Sequence, residues 1–221
     1  MGQAGGAPPV IVAFGDSLTA GLGVPVEQAY PARLEQKLRA AGYPHRVINA
    51  GVSGDTTAGG LRRVGAVLAL QPAIVILELG ANDGLRGIGL DEIRANLEAI
   101  IRRLRAAGVA VVLAGMKLPP NYGPAYTDRF AAMYDRLARE QGVVLMPFFL
   151  DGVAARPEFN QPDGIHPTAE GYQIIVEKLW PIVRPLLGTT TERRSSREQR
   201  NVDPAVATAS RFGGIGGDGA R

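Results

Sequence analysis

Residues 10–18 read Val-Ile-Val-Ala-Phe-Gly-Asp-Ser-Leu: five apolar residues, then Gly15, Asp16 and Ser17. So short an apolar run suits a β-strand buried on both faces. The same kind of text recurs at residues 47–50, 74–79, 109–114 and 143–146. Segments of helical period lie between the runs. Pro31 sits in the first turn of one, followed by Leu34, Leu38 and Ala41, with Gly42 as its stop. Leu61, Val64, Val67 and Leu68 mark a second, closed by Pro72. Leu90, Ile93, Leu97, Ile100, Ile101 and Leu104 form one stripe ended by Gly108. Thr127 can cap a helix carrying Phe130, Met133, Tyr134 and Leu137 to Gly142. Thr168 can cap the last, through Ile174, Ile175, Leu179 and Val183, which Pro181 and Pro185 should kink or break. Strands alternating with helices imply parallel crossovers. The predicted fold is α/β: a three-layer α/β/α, doubly wound domain on a mainly parallel, five-stranded sheet. Sites in such sheets lie outside the carboxyl ends of the strands, here loops 15–24, 51–57, 80–89, 115–126 and 148–167.

A chain of 221 residues suits one folded body. We place it at residues 10–188, after an N-terminal extension, 1–9. A Thr-, Ser-, Arg- and Gly-rich tail follows at 189–221; its weak apolar periodicity reads as disorder or an artefact of expression. With 46% hydrophobic and 20% charged residues, wholesale disorder is excluded. The absence of cysteine excludes disulfides, thiolate catalysis and Cys-ligated metal sites. His45 and His166 are the two histidines, so a histidine base must be one of them. The net charge is +3, but six arginines against four acids put +2 of it beyond residue 188. The remaining +1 disfavours nucleic-acid binding. No apolar run approaches the roughly 20 residues of a membrane helix. The opening MGQAGGAPPV shows no basic and apolar leader. The compartment therefore reads as periplasmic or secreted if a leader has been removed, and as cytoplasmic otherwise. Nothing specifies an oligomeric interface.

Chemistry collects on the carboxyl-edge loops. Ser17 directly follows the first strand; alone it would be a turn or N-cap serine. His166 lies in Asp163-Gly164-Ile165-His166-Pro167, between the last strand and the last helix. A short turn can bring Asp163 to the imidazole Nδ1–H and leave the other nitrogen for Ser17, the nucleophile–base–orienter logic of acyl transfer. His45 is the poorer base: it precedes the second strand, at the opposite sheet edge, and is expected to face solvent. Gly51, after the second strand, and Asn82, after the third, offer donors for a developing oxyanion. Each residue also suits plain turn chemistry; together at one edge they are harder to explain that way. The chain has no Gly-x-Ser-x-Gly elbow, P-loop, Gly-x-Gly-x-x-Gly or His-Glu-x-x-His motif.

Gly15-Asp16-Ser17-Leu18, Gly51, Gly80-Ala81-Asn82-Asp83 and Asp163-Gly164-Ile165-His166 resemble the blocks of the GDSL, or SGNH, hydrolases, in that order. The likeness covers about residues 10–187. Ser53-Gly54-Asp55-Thr56, Gly84-Leu85-Arg86-Gly87, Leu118-Pro119-Pro120-Asn121-Tyr122-Gly123 and Pro147-Phe148-Phe149 narrow it to the bacterial thioesterase I / protease I / lysophospholipase L1 / arylesterase branch. The resemblance implies the flavodoxin-like SGNH fold, with Ser17 as nucleophile, His166 as base and Asp163 as its orienter. It implies an oxyanion hole from the Ser17 and Gly51 N–H groups and the Asn82 amide, supported by Asp16 and Asp83. It also implies a mobile loop at residues 84–89. The tail at 189–221 departs from the branch.

The expected reaction is two-step hydrolysis of aryl and short- to medium-chain esters, with acyl thioesters or lysophospholipids as further substrates, and with no cofactor or metal. Leu85, Arg86, Leu118, Tyr122, Phe148 and Ile165, with Ile88, Met116 and Phe149, are candidates for a substrate groove; core or loop packing is the plainer reading of any one. Arg86 or Lys117 could meet an anionic group. Two other readings are a carbohydrate O-acetylesterase on the same scaffold and a non-catalytic binding protein of the same fold.

Overall fold

A computed structural model describes residues 7–202, with side chains to residue 188. Five strands, β1 (Val10–Gly15), β2 (Arg46–Gly51), β3 (Ile74–Glu78), β4 (Ala110–Ala114) and β5 (Val144–Met146), form one sheet in the order β2-β1-β3-β4-β5. Every pairing is parallel. The apolar runs of β1 and β3 become central strands with Ile11–Phe14 and Ile74–Leu77 fully buried. Helices cover both faces, which is why those runs are apolar on both sides.

Seven helices complete the fold among the described residues: α1 (Ser17–Ala20), α2 (Tyr30–Ala40), α3 (Thr57–Ala69), α4 (Ala81–Leu85), α5 (Leu90–Ala106), α6 (Pro124–Gln141) and α7 (Ala169–Val202). α2 packs with α7, while α3, α5 and α6 pack in series. The three-layer, doubly wound architecture expected from the alternation is the one present. The chain steps from β1 to β2, then crosses back past β1 to β3. This reversal opens a crevice at the carboxyl ends of β1 and β3, where the loops bearing Ser17 and Asn82 begin.

Three expectations need correction. α7 is not broken at Pro181 or Pro185; it runs through both to Val202. Both prolines lie on its exposed side. The carbonyls they leave unpaired can meet water, while Tyr172, Ile175, Val176, Leu179, Val183 and Leu187 are buried on the other side. Residue 188 lies within α7, and 1–6 and 203–221 of the expected extension and tail lie outside the described residues. α6 starts at Pro124 rather than at a Thr127 cap; Thr127 Oγ1 donates back to the Gly123 carbonyl (3.1 Å). Proline at the first turn needs no N–H partner and starts the helix early. Thr168 does cap α7, accepting from the Gly171 N–H (3.2 Å). His45 does not face solvent: it is 2% exposed, with Tyr43 edge-on at 6.2 Å and Trp180 beyond. Burial lowers its pKa, and neither ring nitrogen has a hydrogen-bond partner.

Candidate active site

Ser17 opens α1, with Asp16 as its N-cap. Asp16 Oδ1 accepts the Leu18 N–H (3.0 Å), the ordinary way a short side chain holds a helix start. Its Oδ2 accepts from Asn82 Nδ2 (3.0 Å) across the crevice. Asp16 is 1% exposed. Burial pushes its carboxyl up to about 6, against the pull of the Leu18 N–H.

His166 arrives on the loop before α7. Its Nε2 stands 2.9 Å from Ser17 Oγ, and its Nδ1 stands 2.7 Å from Asp163 Oδ2. Asp163 Oδ1 accepts the Ile165 and His166 N–H groups (3.0 Å each). The Ile165 N–H in particular holds the carboxylate down at about 2, with His166 adding to the effect. Asp163 therefore stays ionised beside the imidazole and fixes its ring. Gln161, which the sequence reading missed, ties this loop to the segment that follows α1. Its Nε2 donates to the Leu22 carbonyl (2.7 Å) and the Pro167 carbonyl (2.9 Å). A polar residue in a Pro-Asp-Gly turn reads as solvated loop, so no local signal marks it.

Asn82 lies in the first turn of α4, after β3. Its two amide hydrogens go to Asp16 Oδ2 and to the Asp55 carbonyl (3.0 Å each). Asp83, its neighbour, is 1% exposed and anchors the start of α3. Its carboxylate accepts the Thr57 N–H (2.9 Å to Oδ2) and hydroxyl (2.6 Å to Oδ1). Arg63, on α3, donates to the Gly15 and Ala50 carbonyls (2.7 and 2.6 Å) and to Asp55 Oδ2 (2.6 Å). It thus closes the ends of β1 and β2 beside Ser17.

Gly51 does not present its N–H to this site. The Arg46 and Val52 amides donate to the Pro9 and Gly15 carbonyls, so even-numbered amides of β2 face β1. Alternation turns the Gly51 amide the other way, and it donates to Asn49 Oδ1 (2.9 Å). Glycine is needed here for a different reason: a side chain would overlap the Ala20 backbone nitrogen of α1. Three residues on, Gly54 stands at φ +78° in the same segment as the Asp55 carbonyl that Asn82 touches.

The expected groove residues divide. Tyr122 OH donates to the Leu85 carbonyl (3.0 Å), and Arg86 Nη2 donates to the Gly54 carbonyl (3.0 Å). Leu118 packs on Gly84, where a Cβ would fall 2.7 Å from its Cδ2. Ile165 is 45% exposed next to His166, and Phe148 is half-buried under the Lys117 ammonium, 5.1 Å from the ring centre. Met116 and Phe149 belong to the core, not a groove: they are 3% and 0% exposed. In the expected loop at 84–89 the first two residues are helical, since α4 extends through Leu85; Tyr126 OH donates to the Ile88 carbonyl (2.8 Å) in the rest.

Comparison with known proteins places the chain in a family. Residues 13–174 match the GDSL-like Lipase/Acylhydrolase family. The chain is 43% identical over 182 residues to Esterase TesA of Pseudomonas aeruginosa, covering 82% of this chain and 90% of that protein. It is 43% identical over 168 residues to an arylesterase of Vibrio mimicus (76% and 84% covered). It is 38% identical to thioesterase 1/protease 1/lysophospholipase L1 of Escherichia coli K12 (82% and 86%). Among solved structures, TesA superposes with a TM-score of 0.78 at 44% identity, over 80% of this chain and 99% of that one. AlinE4, an SGNH-hydrolase family esterase, gives 0.69 at 45% (83% and 99%). A crevice at the strand reversal, a serine bonded to a histidine, and matches spanning most of the chain lead to one assignment: this chain belongs to the GDSL-like lipase/acylhydrolase family.

Proposed function

We propose that the chain is a serine esterase that cleaves small carboxylic esters through an acyl-Ser17 intermediate. The observation that carries this reading is the continuous relay Ser17 Oγ, His166, Asp163, at 2.9 and 2.7 Å. Both contacts are within hydrogen-bond reach in the resting site, and the first is the one across which the serine proton moves. Ser17 Oγ attacks the ester carbonyl carbon while His166 Nε2 takes the hydroxyl proton. The tetrahedral intermediate collapses, the C–O bond to the leaving group breaks, and His166 returns the proton to the departing oxygen. Water then attacks the acyl-serine, again giving its proton to His166, and the acid leaves as Ser17 is restored. Asp163 keeps Nδ1 protonated and stabilises the imidazolium in both halves.

The developing oxyanion needs preorganised donors. The Ser17 N–H opens α1 and has no partner within the helix. The Asn82 amide supplies a second donor by sharing the hydrogen now directed at the Asp55 carbonyl. With the Gly51 amide engaged by Asn49, the third donor is the Gly54 N–H, on the segment Asn82 touches. Asn82→Ala should lower kcat on the order of 10²- to 10³-fold with the fold intact. Unchanged turnover would remove Asn82 from this role.

The substrates favoured are aryl and short- to medium-chain acyl esters, with acyl thioesters and lysophospholipids as further substrates. Relatives named arylesterase and thioesterase 1/protease 1/lysophospholipase L1 support that range. Leu85, Leu118, Tyr122 and Ile165 supply the apolar surface beside Ser17. Hydrolysis of p-nitrophenyl acetate, butyrate and octanoate tests it. A clear optimum in chain length is expected; equal kcat/KM across the series would contradict a defined groove.

A further inference from the structure

Beneath the nucleophile lies an acid that the reaction sequence above does not use. Glu78 ends β3, the strand that pairs with β1 with Gly15 beside Glu78. It is fully buried, at the end of a run of Ile and Val and Leu. Burying a carboxyl costs free energy unless its oxygens are bonded, and Glu78 Oε1 has no partner. An aliphatic residue would suit this position better on packing grounds alone.

The other oxygen explains the placement. Oε2 accepts the Thr19 hydroxyl (2.8 Å) and the Asp16 N–H (3.3 Å). Those two residues bracket Ser17. The Tyr30 hydroxyl stands 3.3 Å from Thr19 Oγ1 and closes the cluster on the α2 side. The niche is made by a missing side chain: a Cβ on Gly15 would fall 2.5 Å from Glu78 Oε2 and would overlap Thr19 Oγ1. The missing side chain of Gly15 thus leaves room for one carboxyl oxygen and one hydroxyl.

We propose that Glu78 is a positioning residue for ester cleavage: its Oε2 ties Asp16 and Thr19 to the end of β3, and so sets where Ser17 Oγ stands relative to His166. This rests on the esterase reading above. α1 is a single turn, too short to hold its own shape. Burial, and then the nearby Asp16, raise the Glu78 pKa well above the ordinary carboxyl range. Its role is accordingly that of a hydrogen-bonding group rather than a charge. Glutamine should replace it and leucine should not.

The test uses the whole chain and p-nitrophenyl butyrate. Glu78→Leu is expected to lower kcat roughly 10- to 100-fold while leaving KM nearly constant, because a small displacement of a nucleophile acts on the chemical step. Labelling of Ser17 by an organophosphonate should slow by the same factor. Glu78→Gln should restore most of the rate. Thr19→Val, which removes the same bond from the other side, should reduce kcat in the same sense and decides the matter if Glu78→Leu does not fold. Parental kcat in a folded Glu78→Leu or in Thr19→Val would overturn the proposal, as would a loss confined to KM or a glutamine variant as slow as the leucine one. Ser17→Ala measured alongside separates the failures. If it stays active, the esterase reading falls; if it is inactive while Glu78→Leu matches the parent, only the role of Glu78 does.

Discussion

Asp16 caps α1 through one oxygen and holds Asn82 through the other, at about 1% exposure. Its folded value of about 6 lies above the ordinary 3.8, so the native state binds this proton more tightly than the unfolded chain. That stabilisation is complete below about pH 3.8 and is lost as pH rises through 6. A shift of this size is worth about 3 kcal/mol at most. Asp16→Asn, which cannot ionise, should therefore gain in Tm relative to the parent between pH 4 and pH 7, by several degrees. A Tm difference flat over that range would contradict a charged, buried Asp16. Asp163 runs the other way. Its value falls from 3.8 to about 2, so what its ionisation contributes is present above 3.8 and lost only as pH drops towards 2. An acid limb in activity above pH 4 must come from another group.

Ser17 and Asn82 stood out because each is a polar residue just past an apolar run, His166 because two histidines leave little choice of base, and Asp163 because it lies three residues before His166. Gly51 and Glu78 were not legible in the same way. The direction of the Gly51 amide depends on which neighbour β2 pairs with, and parity within a strand cannot be read until that partner is known. Glu78 falls inside the apolar run 74–79 as its one charged residue, and nothing local says what its carboxyl meets; its partners come from α1 and α2 folding over it.

At the scale of elements, the site is held by short helices pinned from below. Asp83 reaches from α4 to the first turn of α3 and bonds both the amide and the hydroxyl of Thr57. Asp83→Ala leaves two buried donors without that acceptor and should destabilise the chain by about 2–4 kcal/mol, read from urea unfolding. A loss under about 0.5 kcal/mol would show that α3 is anchored by its apolar face instead. Gly51 is a contact between elements: its Cα lies against the α1 backbone at Ala20. Gly51→Ala should therefore displace α1, and with it Ser17, so that Tm and kcat fall together. A fall in kcat alone would return Gly51 to the oxyanion hole. The strands were legible to within a residue or two from their apolar runs. The starts of helices were less so, because Thr127 and Pro124 both offer plausible beginnings and only one fits the incoming chain. Pro181 and Pro185 do not end α7 for a related reason: their four-residue spacing puts both on its exposed side, where the carbonyls left without an N–H partner can meet water.

For the molecule as a whole, the sheet order places the chemistry. Because β2 and β3 flank β1, the loops after all three meet at one edge, and the loop before α7 completes the set. The fold class followed from the alternation of runs, and the site edge followed from the fold class. The substrate groove did not, since Met116 and Phe149 carry the same apolar signature as Leu118 and Ile165 yet belong to the core. All of this chemistry depends on Ser17 acting as the nucleophile of an esterase. Intact mass and peptide mapping after reaction with an organophosphonate test it most directly, with p-nitrophenyl butyrate hydrolysis followed in parallel. One adduct per chain, on Ser17, appearing as activity disappears and absent from Ser17→Ala, is the expected result. Full loss of activity with the adduct on another residue, or a Ser17→Ala variant that still turns over ester at the parental rate, would contradict it.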